Sequence, residues 1–342
     1  MTRPVAPVIG LAAGALAVTA LPALAPLYYV TLMLPFMAYG VILLGLNLLF
    51  GYTGLVSFGH ALFIAIGAYT GAVLTTHYGI RHMELILPIA ALAAAMVAAP
   101  VGALCARYVK IYFGMLTLAF GMVFYTFLLK FYRLTGGDEG MRMLRPSLFG
   151  HDWAGLSKTA YLVGPYYYFS LAVLALATLV MWRIVRSPFG LCLRTIRDNP
   201  LKAESLGVSV VRHRWYAFMI SAVYAAVGGA LLAPPTGNVD PTLAYWTHSG
   251  NIVFMVLLGG FSSFFGPLLG AFVFIYLQDT VMSVFPYWRL VFGAVLACLV
   301  LFAPGGLMGL FARRPAGETA GALSSRPATS GSSTAPTWPW TA

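Results

Sequence analysis

Apolar runs about as long as a membrane is thick recur along this chain from Val5 to Pro304, separated by short polar breaks. A helix needs roughly 17 to 25 residues to cross about 30 Å of hydrocarbon, and these runs have that length. Only 8% of the 342 residues are charged and 60% are hydrophobic, whereas a soluble domain carries roughly 25% charge. So few charges cannot coat a water-soluble surface. The alternation of apolar and polar residues over about ten positions that marks a barrel strand is absent. The sequence therefore predicts an all-α, polytopic helical membrane protein. About ten transmembrane helices are expected near 8–25, 28–50, 60–78, 85–106, 110–130, 161–183, 215–234, 244–259, 266–285 and 288–304. Arg3 followed by apolar residues has the look of a signal peptide, but the apolar character runs almost unbroken to Phe50, which favours an uncleaved first span.

The net charge of +11 does not point to nucleic acid, because the basic residues are spread over the loops between spans. Their distribution reports topology instead. With a cytoplasmic N-terminus, the inner set holds Arg3, Arg107, Lys110, Arg183, Arg186, Arg194, Arg197, Lys202, Arg212, Arg214, Arg313, Arg314 and Arg326, which is 13 of the 20 basic residues. Arg81, Lys130, Arg133, Arg142, Arg145, Lys158 and Arg289 fall outside. An even number of spans returns the C-terminus to the cytoplasm, whereas nine would strand Arg313 and Arg314 outside. By the same charge argument, Gly259-Gly260-Phe261-Ser262-Ser263 is a turn between the eighth and ninth spans. The expected transmembrane domain is 1–314, and the Ser-, Thr-, Pro- and Gly-rich stretch 315–342 is expected to be a disordered tail. Cys105, Cys192 and Cys298 form no CxxC pair and no His cluster has ligand spacing, so no metal site and no catalytic constellation is expected.

Three segments break the apolar monotony. GYTGLVSFGHALFIAIGAYTG at 51–71 places Gly51, Gly54 and Gly59 where a non-helical link is expected, with Asn47, Ser57 and His60 among the few polar groups at membrane depth. Such a link either supports a pathway or gate or is a plain short loop. Gly67 and Gly71, flanking Tyr69, have the small-xxx-small spacing of closely approaching helices. His60, with no acidic or thiol neighbour in sequence, reads as a helix-start residue and not as a ligand. Asp279, a carboxylate in an apolar run, belongs at a cavity, a helix interface or the outer boundary.

The second segment, 184–214, is basic and well punctuated. Ser187 with Pro188 and Asn199 with Pro200 each form an N-cap pair, and Gly207 suits a left-handed stop, so two short helices are expected. Such an element either docks on another protein or lies on anionic lipid, whose phosphates Arg194 and Arg197 would suit. The third, LTGGDEGM at 134–141, opens an outer loop that serves either as a docking surface or as a plain solvated loop. The chain has no GxxxxGK phosphate loop, so it has no recognised means of binding ATP itself.

Taken together with SPFGLCLRTIRDNPLKAESLGV at 187–208, YAFMISAVYAAVGGALLAP at 216–234 and MVLLGGFSSFFGPLLGAF at 255–272, these motifs resemble the M-type permease subunits of ABC importers for branched-chain amino acids, over about residues 30 to 310. The resemblance implies a type II-like ABC importer permease fold. It implies a coupling segment carried by Gly190, Arg194, Arg197, Asn199, Ala203 and Gly207, which would dock in a groove of the ATPase. It also implies a second related permease, two ATPase subunits that hold ATP and Mg, a periplasmic substrate-binding protein, and a place in the bacterial inner membrane. Asp138-Glu139 departs from the small or polar residues usual there, so no binding-protein contact is carried over to that motif. Relatives of the family carry leucine-like or other neutral amino acids, urea or short amides. A self-sufficient secondary transporter would instead show paired intramembrane charges, and a membrane enzyme clustered acids or nucleophiles. Neither pattern is present in the sequence.

Overall fold

In a computed structural model of the chain, the described residues are 26–109, 111–151, 153, 155–284 and 306–311, with isolated positions at 19, 21–22, 287, 290–294 and 297. Apart from those isolated positions, the expected first span, the expected tenth and the tail lie outside the described residues. The first long helix, α1 (Leu27–Asn47), passes directly into a π-helical turn at Leu48–Thr53. There follow α2 (His60–Thr76), α3 (Met83–Cys105), α4 (Ile111–Lys130) and α5 (Lys158–Arg186). Two short helices, α6 (Pro188–Asp198) and α7 (Pro200–Ser205), precede α8 (Val210–Thr236), α9 (Trp246–Gly259), α10 (Gly266–Val284) and α11 (Gly306–Phe311).

Each of the eight spans expected between residues 27 and 284 is matched by a helix whose ends differ by no more than about one and a half turns, yet these helices are not equal. Six of the described helices, namely α1 with its π-turn, α3, α4, α5, α8 and α10, are long and apolar enough to cross a membrane. α2 has 17 residues and α9 has 14, which at 1.5 Å per residue gives about 26 and 21 Å, short of a full crossing. Each is preceded by non-α chain, 54–59 before α2 and the 3-10 turn Pro241–Ala244 before α9.

α1 and α8 form the centre. Of their apolar windows 78% and 72% are buried, against 28% for α3, α4 and α5, so the last three carry the outward apolar surface. α8 packs on α1, α2 and α3. Its approach to α2 is backbone on backbone: a Cβ on Gly67 would lie 1.9 Å from the Ala226 carbonyl oxygen, and one on Gly229 would lie 2.1 Å from that of Ile64. Pro235 near the end of α8 has no N–H to give the Leu231 carbonyl four residues earlier. The Tyr166 hydroxyl donates to that carbonyl instead, at 2.6 Å.

Residues 260–265 are non-helical, and the helices on either side fold back on one another. A Cβ on Gly259 would sit 1.9 Å from the Gly266 oxygen, and one on Gly270 2.0 Å from the Met255 oxygen. The glycine-rich break is thus a turn between two antiparallel helices. α10 returns along α1, with Phe36 on Phe272 and Phe50 on Phe261, and the Tyr28 hydroxyl donates to Asp279 Oδ2. Asp279 therefore meets a partner at a helix interface near the end of its span.

On the same side as Tyr28, the loop after α4 is folded. β1 (Met141–Arg142) pairs antiparallel with β2 (Asn238–Val239), Met141 opposite Val239. Gly140 at φ +72° lets that ribbon close, since a Cβ there would be 2.4 Å from the Val239 oxygen. The Thr76 hydroxyl donates to the Arg142 carbonyl at 2.9 Å. This part of the loop is therefore ordered and pinned to α2 and to the chain after α8.

Candidate functional site

The functional geometry begins where α5 ends. Ser187 Oγ accepts from the Gly190 N–H at 3.5 Å with Pro188 at the first helical position, and Asn199 Oδ1 accepts from the Lys202 N–H at 3.1 Å with Pro200 following. Gly207 closes the pair at φ +82°. The two short helices expected from the sequence are there with the expected caps. Gly190 is required by proximity, because a Cβ would come within 2.3 Å of the Val185 oxygen as α6 folds sharply off α5. Ile196 and Ala203 are buried with Val210 beneath the pair, so α6 and α7 form one unit seated on the start of α8.

That unit lies against the π-turn of α1. Arg197 Nη1 donates to the Gly51 carbonyl, and the Arg194 guanidinium stands 5.0 Å from the centroid of the Tyr52 ring. Gly54 at φ +75° leaves room for Arg197, whose Cγ would be 3.0 Å from a Cβ there. The 51–59 segment and the 187–207 segment, separate in sequence, are thus one site. Both arginines stay partly open to solvent, but these contacts run toward the membrane helices. The exposed side carries three apolar side chains, Leu191, Leu201 and Leu206, at 65%, 74% and 77% exposure, beside the exposed Asp198, Lys202 and Glu204.

Gly51 differs from its expected role in a non-helical link. It lies inside the π-turn, and only 54–59 is non-helical. Its lack of a side chain serves packing, since a Cβ would be 2.4 Å from the Phe261 oxygen and 2.5 Å from Asn47 Oδ1. Asn47 Nδ2 in turn donates to the Ser263 carbonyl at 3.3 Å. The turn between α9 and α10 therefore closes the other side of the π-turn.

Deeper in, Ser57 and His60 join a buried hydroxyl cluster. His60 Nδ1 lies 2.8 Å from Ser57 Oγ, and Nε2 lies 2.6 Å from Ser221 Oγ on α8. His60 is the first residue of α2, as expected, and it also ties the link to the central helix. The N-cap residue of α2, Gly59, supplies no side-chain cap; Ser249 Oγ on α9 accepts from the Ala61 N–H at 2.9 Å instead. Gly59 meets α4, where a Cβ would be 2.1 Å from the Thr117 oxygen. Gly67 and Gly71 face different neighbours, the Ala226 backbone and the Met143 side chain respectively. The buried Tyr69 hydroxyl has no hydrogen-bond partner among the described residues. His60→Ala strands Ser57 and Ser221 and opens a void, so a stability loss of about 2 to 4 kcal/mol is expected, read as a lowered thermal midpoint in detergent, with His60→Gln falling between.

Ser221, Ser249, Tyr52 and Phe261 belong to the site and were not singled out in the sequence. Serines and aromatics inside apolar runs carry no positional signal until a partner helix is placed beside them. Among the described residues no three His, Cys, Asp or Glu side chains are grouped to hold a metal.

The described chain is thus a multi-pass, predominantly helical membrane protein with a capped helix pair seated beside a broken span. The family model described as "Branched-chain amino acid transport system / permease component" matches residues 28–300, and the chain belongs to that family. It is therefore an ABC transporter permease subunit. It is 30% identical over 295 residues to the high-affinity branched-chain amino acid transport system permease protein LivM of Escherichia coli K12, covering 80% of this chain and 68% of LivM. The LivH permease of Salmonella typhi is 25% identical over 288 residues, covering 79% of this chain and 91% of LivH. The guanosine ABC transporter permease NupQ of Bacillus subtilis is 30% identical over 113 residues, 33% of this chain and 35% of NupQ. No solved structure gives a significant match.

Proposed function

We propose that this chain is one of two related permeases in an ATP-driven importer of branched-chain or other neutral amino acids. In this reading it sits in a bacterial inner membrane with both termini cytoplasmic, receives substrate from a periplasmic binding protein and binds no cofactor itself. ATP and Mg are held by two partner ATPase subunits. The observation that carries the reading is the α6–α7 unit, which exposes Leu191, Leu201 and Leu206 and is joined by Arg197 to the π-turn of α1. The leucines offer a dry contact to the ATPase. Arg194 and Arg197 pass its movement to the broken span.

The energy argument sets what this contact must do. A partner with equal affinity for two permease states shifts neither, so the ATP-closed ATPase must bind one arrangement of α6–α7 more tightly than the other. The rocking of the two permeases then exposes the pathway to alternate sides. A neutral substrate is supported by the interior, where the buried polar residues among those described are hydroxyls, Asn47, His60 and Arg214, without a carboxylate. The short NupQ match favours nucleosides as the second reading. Uptake of leucine into proteoliposomes holding the reconstituted complex, ATP and no ion gradient tests the proposal. Accumulation that needs both ATP and the binding protein is expected; accumulation driven by an ion gradient without ATP would refute it.

A further inference from the structure

Where α5 turns into α6 the chain forms an open groove of about 760 Å³, lined by Val185, Arg186, Pro188, Leu191 and Arg194, a size suited to a small-molecule ligand. Its two guanidinium groups are each braced on an aromatic face. Arg186 lies 3.8 Å from the Trp182 ring centroid and Arg194 5.0 Å from that of Tyr52. Trp182 is itself packed on Phe264 and Phe265 in the turn between α9 and α10. A guanidinium stacked in this way still has in-plane N–H donors to offer an anion.

No carboxylate among the described residues pairs with either group. The acidic residues of the α6–α7 unit are Asp198 and Glu204; Asp198 pairs with Arg197, and Glu204 stands within electrostatic reach of Arg214. Of the two arginines whose sequence position suits phosphate, Arg197 is thus engaged by Asp198 and by the Gly51 carbonyl. Arg186 stands beside Arg194 in its place.

The groove also has an apolar approach. Ala172, Ala175, Leu179 and Arg186 on α5 are all exposed and succeed one another at steps of about three, four and seven residues, which puts them on one helix face. The two alanines leave a shallow track that leads along α5 to the Arg186 charge. Trp182 and Arg186, about one turn apart, mark the level at which hydrocarbon gives way to head groups.

From this geometry we infer that the groove is a binding site for an anionic glycerophospholipid, with its phosphate between Arg186 and Arg194 and an acyl chain along the Ala172–Leu179 track. Basic pockets at the ends of membrane helices take acidic head groups through the same charge complementarity. Inorganic phosphate would meet the same donors but leave the track empty, so the apolar approach selects the lipid. Assignment to the inner leaflet, but not the choice of ligand, rests on the importer reading.

The test is native mass spectrometry of the full chain in mild detergent, supplied with phosphatidylglycerol or phosphatidylcholine. The wild type should prefer phosphatidylglycerol, and the preference should shrink as salt is raised. Arg186→Gln, which changes one exposed side chain, should weaken phosphatidylglycerol retention about fivefold, and Arg186→Gln with Arg194→Gln about thirtyfold. Ala175→Phe keeps both charges and blocks the track, so it should weaken retention too. Either arginine variant, if monodisperse and within twofold of wild type, would overturn the site, as would a wild type that holds both lipids equally. Displacement of the lipid by millimolar inorganic phosphate would replace it with a small-anion site, and its release on addition of the ATPase subunits would give the groove to that partner. None of these readouts requires transport, so their failure leaves the importer reading standing.

Discussion

Gly67→Leu is expected to abolish recovery of folded permease. The Cβ it introduces would lie 1.9 Å from the backbone oxygen of Ala226, and a backbone has no rotamer with which to yield. Ordinary overpacking costs about 1 to 3 kcal/mol, sometimes more, and a clash with backbone belongs at or above the upper end. Lipid tails are as apolar as leucine, so helices in a bilayer associate through close packing of this kind. The contact is reciprocal, since Gly229 on α8 meets Ile64 on α2 in the same way, so Gly229→Leu should fail as well. Gly250 on α9 has open space around its Cβ position, and Gly250→Ala is the control. The readout is the monodisperse fraction in detergent and its thermal midpoint. Wild-type behaviour of Gly67→Leu would mean that α2 and α8 do not approach as described.

The second large effect is expected at Arg197. Arg197→Ala removes the donor to Gly51 and leaves a π-turn carbonyl without a partner, while the caps at Ser187 and Asn199 and the outward leucines are untouched. ATPase association should therefore persist while transport falls about 10- to 100-fold, the equivalent of the roughly 1.5 to 3 kcal/mol of a charge-assisted hydrogen bond. The ratio of ATP hydrolysed to substrate moved separates this outcome from failed assembly. That ratio should rise in Arg197→Ala and partly recover in Arg197→Lys, whose single ammonium can reach a carbonyl but lacks the planar fork. Loss of ATPase binding in Arg197→Ala would place the arginine on the docking face instead.

How far the sequence leads is clear from these two residues. The cap pairs at 187–188 and 199–200 are local chemistry, and the short helices were legible from them. So were the helical spans, because hydrocarbon thickness fixes their length. Gly67 was legible as a small residue at an interface, but its neighbour was not, since nothing local says that Gly67 meets Ala226 and Gly71 meets Met143. The junction of Arg197 with Gly51 joins positions 146 residues apart and leaves no trace in periodicity. The β1–β2 ribbon was illegible for another reason. Two-residue strands carry no alternation pattern, and the close approach to Val239 that requires Gly140 is not visible without the partner strand. The shortness of α2 and α9 was nearly legible, since the spans expected at 60–78 and 244–259 exceed the helices found by only two residues each.

The docking of α6–α7 on the ATPase is tested most directly by a single cysteine at position 201 in a chain whose three native cysteines are replaced by alanine. Leu201→Cys should react with a membrane-impermeant maleimide in inside-out vesicles, should be shielded there when the ATPase is bound, and should stay unlabelled in intact cells. Labelling from outside intact cells, or labelling in vesicles that the ATPase does not slow, would contradict both the orientation and the transmission of ATP-driven movement through Arg197 to α1.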